Sequence, residues 1–227
     1  MKKLTFHELV WYFFIYSIFG MILENVFCLI TQHKLESRMG FIIGPFCPIY
    51  GLGAILLIIF LSNFKSKWYR VFFFGIIIGA MYEYVSSFAL QALYSVKFWD
   101  YSNWFMNING RTCLFFAMSW GIISLGLIYL INPYIENIID NNKSRSLDII
   151  IFVFFTIDCI LTYLAINSYV DRAKIAYGYN IKAEANNIVT NEVMKFLFPN
   201  MIYEKDVNNK VLIRDIFSNN YLRHYHF

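Results

Sequence analysis

Five apolar stretches, at residues 9–30, 45–61, 71–96, 114–131 and 149–170, set the terms on which this chain can fold. A helix needs about 20 apolar residues to cross ~30 Å of hydrocarbon, at ~1.5 Å of rise per residue. The spacing therefore predicts an all-α integral membrane protein of about five transmembrane helices. Composition points the same way. The chain is 59% hydrophobic and 15% charged, against roughly 25% charge in a soluble domain, so a water-soluble core could not hide its apolar surface.

The start, Met1-Lys2-Lys3 before an apolar run, resembles a signal peptide. The run of 22 residues from 9 to 30 is longer than a signal core of roughly 7–15 residues and reads as a retained anchor in the cell membrane. Residues 1–170 form the expected transmembrane domain and 171–227 an extramembrane tail, where Ile188, Val189, Met194, Phe196 and Leu197 could make one short amphipathic helix. Basic residues on the two faces are nearly balanced and lean only weakly toward a cytoplasmic N-terminus. They form no cluster of the kind that binds nucleic acid. Cys28, Cys47, Cys113 and Cys159 make no CxxC pair, and His224-x-His226 reads as a solvated tail, so no metal site or cofactor is expected. No Walker A motif is present.

Two connectors are richer than connectors need to be. Residues 40–53 are apolar yet hold four glycines and two prolines. Irregular backbone at membrane depth is tolerated only against protein or a watery cavity, which predicts a re-entrant or kinked segment. Residues 97–111 gather Trp99, Asp100, Tyr101, Asn107, Asn109 and Arg111 just before the fourth stretch.

Carboxylates inside the apolar stretches are the strongest site signal, because a charge at the bilayer centre costs at least about 2.5–3.5 kcal/mol. Glu24, Glu83 and Asp158 are such residues. Gly20-x-x-x-Glu24 and Gly79-x-x-x-Glu83 read alike, and each is followed by a loop arginine, Arg38 or Arg111, and then by a cysteine heading the next stretch. Two parallel helical-hairpin repeats with the site between them would explain the likeness. Glu24 and Glu83 would then be a binding or proton-handling pair, since two carboxylates in one dry site share a proton near neutral pH. The alternative is that each glutamate only anchors its arginine. Asp158 either lines the same cavity or makes an interhelical hydrogen bond.

At these motifs the chain resembles the CmpB-like family of type IV ABC-transporter permeases. The resemblance rests on Tyr16-Ser-Ile-Phe-Gly-Met-Ile-Leu-Glu24, Arg38-Met-Gly-Phe-Ile-Ile-Gly-Pro-Phe-Cys-Pro-Ile-Tyr-Gly51, Trp99-Asp-Tyr-Ser102, Asn107-Ile-Asn-Gly-Arg111 and Phe198-Pro-Asn-Met201. It implies a transport subunit for a small molecule or ion, set in the lipid bilayer, with ATP hydrolysis supplied by a separate partner and assembly as an oligomer. The alternatives are a membrane-embedded enzyme acting on a lipid or isoprenoid, or a sensor or assembly protein.

Overall fold

The computed structural model describes residues 2–176, 188–204 and 210–217. The first helix, α1 (Phe6–Gln32), opens on a capping box: Thr5 and Glu8 satisfy each other's backbone N–H groups. Residues 33–47 turn back alongside α1, and α2 (Pro48–Leu61) descends antiparallel to it. Cys47 N–H donates to Ser17 O at 3.0 Å, and Lys2 N–H to Ile59 O at 3.1 Å. Helix α2 thus begins partway down α1, about 22 Å below its end at ~1.5 Å per residue. Pro45 and Pro48 explain the late start: proline lacks a helical donor and pushes its predecessor out of the α region.

A second hairpin follows. Helix α3 (Trp68–Tyr94) is followed by residues 95–113, which drop back to the level of Glu83 before α4 (Leu114–Leu125) begins. A Cβ at Gly79 would collide with Cβ and Cγ of Trp120, so only a glycine admits α4 this closely. Gly20 stands in the same relation to Tyr50 of α2.

Beyond α4 a π-helical turn (Gly126–Ile131) leads without a break into α5 (Asn132–Asn141). The polar run at residues 132–148, between the fourth and fifth apolar stretches, reads in the sequence as a connection. Instead Pro133 sits in the first turn of α5, where its missing N–H costs nothing, and the buried Asn132 accepts a hydrogen bond from Tyr16. Helix α6 (Arg145–Ala176) runs parallel to α1 and α3, tied by Trp11 Nε1–H to Asp148 at 2.9 Å and by a T-shaped pair of Phe13 and Phe155.

Among the described residues, four helices are long and apolar enough to cross a membrane: Phe6–Thr31, Trp68–Tyr94, Leu114–Asn141 and Arg145–Ala176. The second apolar stretch, 45–61, is the exception among the five expected spans. Its 14-residue helix α2 reaches only about 21 Å, plus one 3-10 turn (Ser62–Phe64).

The tail is more structured than a single amphipathic helix. It holds α7 (Asn191–Leu197), a small antiparallel pair of β1 (Ile202–Glu204) and β2 (Lys210–Leu212), and α8 (Ile213–Ile216). The pair is a departure from the all-helical expectation. Met194, Leu197, Phe198, Met201, Ile213 and Ile216 form one core with Ala165, Ile166, Tyr169 and Val170 of α6. His224 and His226 lie outside the described residues.

Candidate functional site

A cavity of about 360 Å³ opens where the two hairpins face each other. Glu24 of α1 and Glu83 of α3 both line it, with Arg38 from the first returning loop and Trp99 and Tyr101 from the second. Phe198, Pro199, Asn200 and Met201 contribute from the tail. The other walls are apolar, among them Leu23, Phe27, Phe116, Ile122 and Ile123.

The hairpins are joined by aromatic side chains. Tyr50 stacks on Trp120 across the interface, and Tyr82 Oη donates to Ile49 O at 2.7 Å. Each glutamate takes hydroxyl donors. Tyr50 Oη donates to Glu24 Oε2 at 2.6 Å. Thr112 Oγ1 donates to Glu83 Oε2 at 2.6 Å, and Tyr101 Oη to Glu83 Oε1 at 3.3 Å. Glu83 is 6% exposed. Among the described residues neither glutamate has a cationic side chain within 4.0 Å.

Neither arginine makes the contact ion pair with its glutamate that the anchoring alternative expects. Arg38 donates to Cys28 Sγ at 3.2 Å and pairs with Glu36 at 3.8 Å. Arg111 donates to Ser87 Oγ at 3.1 Å and to Gln91, one and two turns beyond Glu83, and its guanidinium lies 5.4 Å from the Phe88 ring centroid. Neutral partners satisfy it.

Several expected site residues shape the second loop rather than line the cavity. Asn107 accepts from Gly110 N–H and donates to Ser102 O and Trp104 O. Asn109, at φ 54°, donates to Tyr84 Oη at 3.0 Å. Gly110 has φ +67° and faces Asp100 Oδ1 where a Cβ would lie, so no other residue fits there. Asp100 accepts from Ser102 and from Lys210 of β2. Burial works to raise the Asp100 carboxyl, but the bonds from Lys210 and Ser102 outweigh it and hold the carboxyl below its ordinary value. Trp99 Nε1–H donates to Arg111 O at 2.9 Å, which locks the two ends of the loop together.

Asp158 is fully buried in α6, away from the cavity. Its Oδ1 accepts Ile43 N–H at 3.1 Å, while Thr162 Oγ1 accepts Ile42 N–H at 3.0 Å. It pins the first returning loop by a helix-to-loop bond, where the sequence offered a cavity-lining or an interhelical role.

Tyr50, Thr112 and Trp120 were not anticipated. Tyr50 lies in the Gly-Pro-x-x-Pro-Ile-Tyr-Gly motif that carries the family resemblance. Thr112 follows Arg111 directly, and Trp120 shows no signal in an aromatic-rich stretch.

Four apolar helices of spanning length make this chain a multi-pass helical membrane protein. A family model described as "Putative ABC-transporter type IV", the CmpB family, matches residues 11–163, and the chain belongs to that family. No curated protein matches, and no solved structure does.

Proposed function

We propose that the chain is the membrane subunit of an ABC-type transporter of the cell membrane, with its ligand held between the hairpins by Glu24 and Glu83. The observation that carries this reading is the pair itself. Two carboxylates from separate helices line one cavity with hydroxyl donors and no cation of the protein's own within 4.0 Å among the described residues. Uncompensated acids at such depth are expensive and mark ligand or ion pathways. In this reading the hairpins are two parallel repeats, the short α2 completes a five-element bundle, and residues 171–227 stay outside the bilayer. ATP hydrolysis belongs to a separate subunit, and the assembly holds more than one copy of the chain. Trp99, Tyr101 and Arg38 shape the entrance, and Arg111, Asn107, Asn109 and Asp100 hold it in place.

The test is co-expression with a candidate ATPase partner, reconstitution in proteoliposomes, and measurement of ATP hydrolysis beside melting temperature. Glu24→Gln and Glu83→Gln keep size and hydrogen-bonding capacity, so both should insert and melt near the wild type while losing ligand-stimulated hydrolysis. Absence of any ATPase association, or fully stimulated hydrolysis in both variants, overturns the proposal. A lipid-modifying enzyme is the second reading, favoured by the apolar groove that adjoins the cavity. It requires covalent change of a lipid in the absence of ATP.

A further inference from the structure

A second cavity, of about 310 Å³, continues the first toward the N-terminal end of the bundle. Leu23, Tyr50, Trp120, Ile122 and Ile123 line both, so the two spaces adjoin along these side chains. Their chemistry differs completely. The first holds Glu24, Glu83 and Arg38; the second is apolar, walled by α1, α2, α4 and the π-helical turn, with Gly126 and Ile131 at its far end.

The groove opens sideways between α1 and α4. At its edge Ile122 is 64% exposed and Leu23 44%. A Cβ at Gly126 would meet nothing within 4 Å, which is open space in a region where other glycines sit against side chains. From Trp120 to Ile131 the wall runs eleven residues, roughly 16 Å at helical rise, comparable with an alkyl chain of about a dozen carbons.

We infer that the site takes an amphiphile with a protonated amine head and a single alkyl chain, entering from the lipid between α1 and α4. The head lies against Glu24 and Glu83, and the chain lies in the groove toward Ile131. Charge fixes the sign of the head. Two carboxylates outnumber one guanidinium, and that guanidinium already bonds to Cys28 and pairs with Glu36. A cation placed there gives the carboxylates a contact ion pair, which no described side chain makes within 4.0 Å. The groove fixes the other end, since it offers a chain no polar partner and each methylene buried there favours binding.

This inference rests on reading Glu24 and Glu83 as the ligand-contacting pair, and the experiment separates the two. The protein is embedded in phosphatidylcholine nanodiscs and its melting temperature is measured with dodecylamine, dodecanol or butylamine. Dodecylamine should raise the melting temperature saturably, by several degrees at a hundredfold excess over its dissociation constant. Dodecanol should not, and butylamine should require at least a hundredfold higher concentration. Gly126→Leu fills the groove without a clash and keeps helical geometry. It should abolish the advantage of dodecylamine over butylamine and leave the butylamine effect in place. Equal potency of the two amines, or a dodecylamine effect indifferent to Gly126→Leu, sinks the amphiphile inference while the carboxylate pair survives. Equal effects of dodecanol and dodecylamine, unchanged in Glu24→Gln and Glu83→Gln, sink both. So does the absence of any response.

Discussion

Tyr50 and Trp120 stack with ring centroids 5.8 Å apart and planes 28° from parallel, although one belongs to the first hairpin and the other to the second. The same Tyr50 hydroxyl is the donor to Glu24. One side chain therefore both bridges the hairpins and holds an acid of the candidate pair.

Tyr50→Phe separates these roles, because it keeps the ring and removes the donor. The stack stays, and Glu24 loses a hydrogen bond to a charged or polar acceptor worth about 1.5–3 kcal/mol at most. Melting temperature should fall modestly, while ligand-stimulated ATP hydrolysis falls tenfold or more. Tyr50→Ala should lose both, and calorimetry beside the activity measurement distinguishes the two.

Gly79→Val tests the close approach of α3 and α4. The new Cβ meets Cγ of Trp120 and also its Cβ, which no rotamer change can move. Overpacking of this kind costs about 1–3 kcal/mol. The variant should melt lower, and the aromatic contact of Trp120 with Tyr82 should loosen, visible as a red shift in tryptophan emission.

Asp158→Leu removes the acceptor for Ile43 N–H inside the protein. A stranded buried donor costs about 1–3 kcal/mol. Amide exchange at Ile42 and Ile43 should quicken by one to two orders of magnitude, and a cysteine placed at Ser37 should react faster. Asp158→Asn keeps an acceptor oxygen and should show much less of either effect.

The pair of Asp100 and Lys210 fastens β2 to the second loop, and its pH dependence has two edges. The Asp100 carboxyl titrates below its ordinary value of 3.8, so its contribution is present above that pH and fades as pH falls through the lowered pKa. The Lys210 ammonium titrates above its ordinary 10.5, mainly through the bond to Asp100, so its contribution fades only as pH rises through the raised value. Protease sensitivity of the tail should stay flat from pH 5 to 9, within the window of ~4 to ~10 that these ordinary pKa values set. It should increase below that window. Lys210→Met should raise it at neutral pH.

Residues Ser37 and Ser102 lie in the two returning loops, which follow α1 and α3. Single cysteines at these positions should label from the same face of the membrane. Labelling from opposite faces would be incompatible with antiparallel hairpins of like orientation.

Much of this architecture is legible in the sequence, for an identifiable physical reason. Glu24 and Glu83 stand out because charge inside an apolar run is costly, and Gly20 and Gly79 mark the same helix faces one turn earlier. The prolines of residues 40–53 announce a break, and α2 duly starts at Pro48. Other features leave no such trace. Arg111 invites a carboxylate partner on paper, yet Ser87 and Gln91 satisfy it, and neutral partners are indistinguishable from ordinary polar residues. With 24 Phe and 17 Tyr around it in the chain, nothing singles out Trp120 before its neighbours are known. Asn132-Pro133 reads as a loop because its determinant, the Tyr16 hydroxyl, is 116 positions away.

Because α2 and α4 start late, each hairpin has helix on both sides below the level of its glutamate and on one side only above it. If the bundle spans the bilayer as proposed, the pair of glutamates sits at an intermediate electrical depth. Moving one elementary charge across the whole membrane involves ~2.3 kcal/mol per 100 mV. A cation that stops at Glu24 and Glu83 senses only the fraction of the voltage on its side of them. Arrival from one face and arrival from the other then carry complementary fractions of a single gating charge, and the steeper of the two voltage dependences reports which face lies farther from the site.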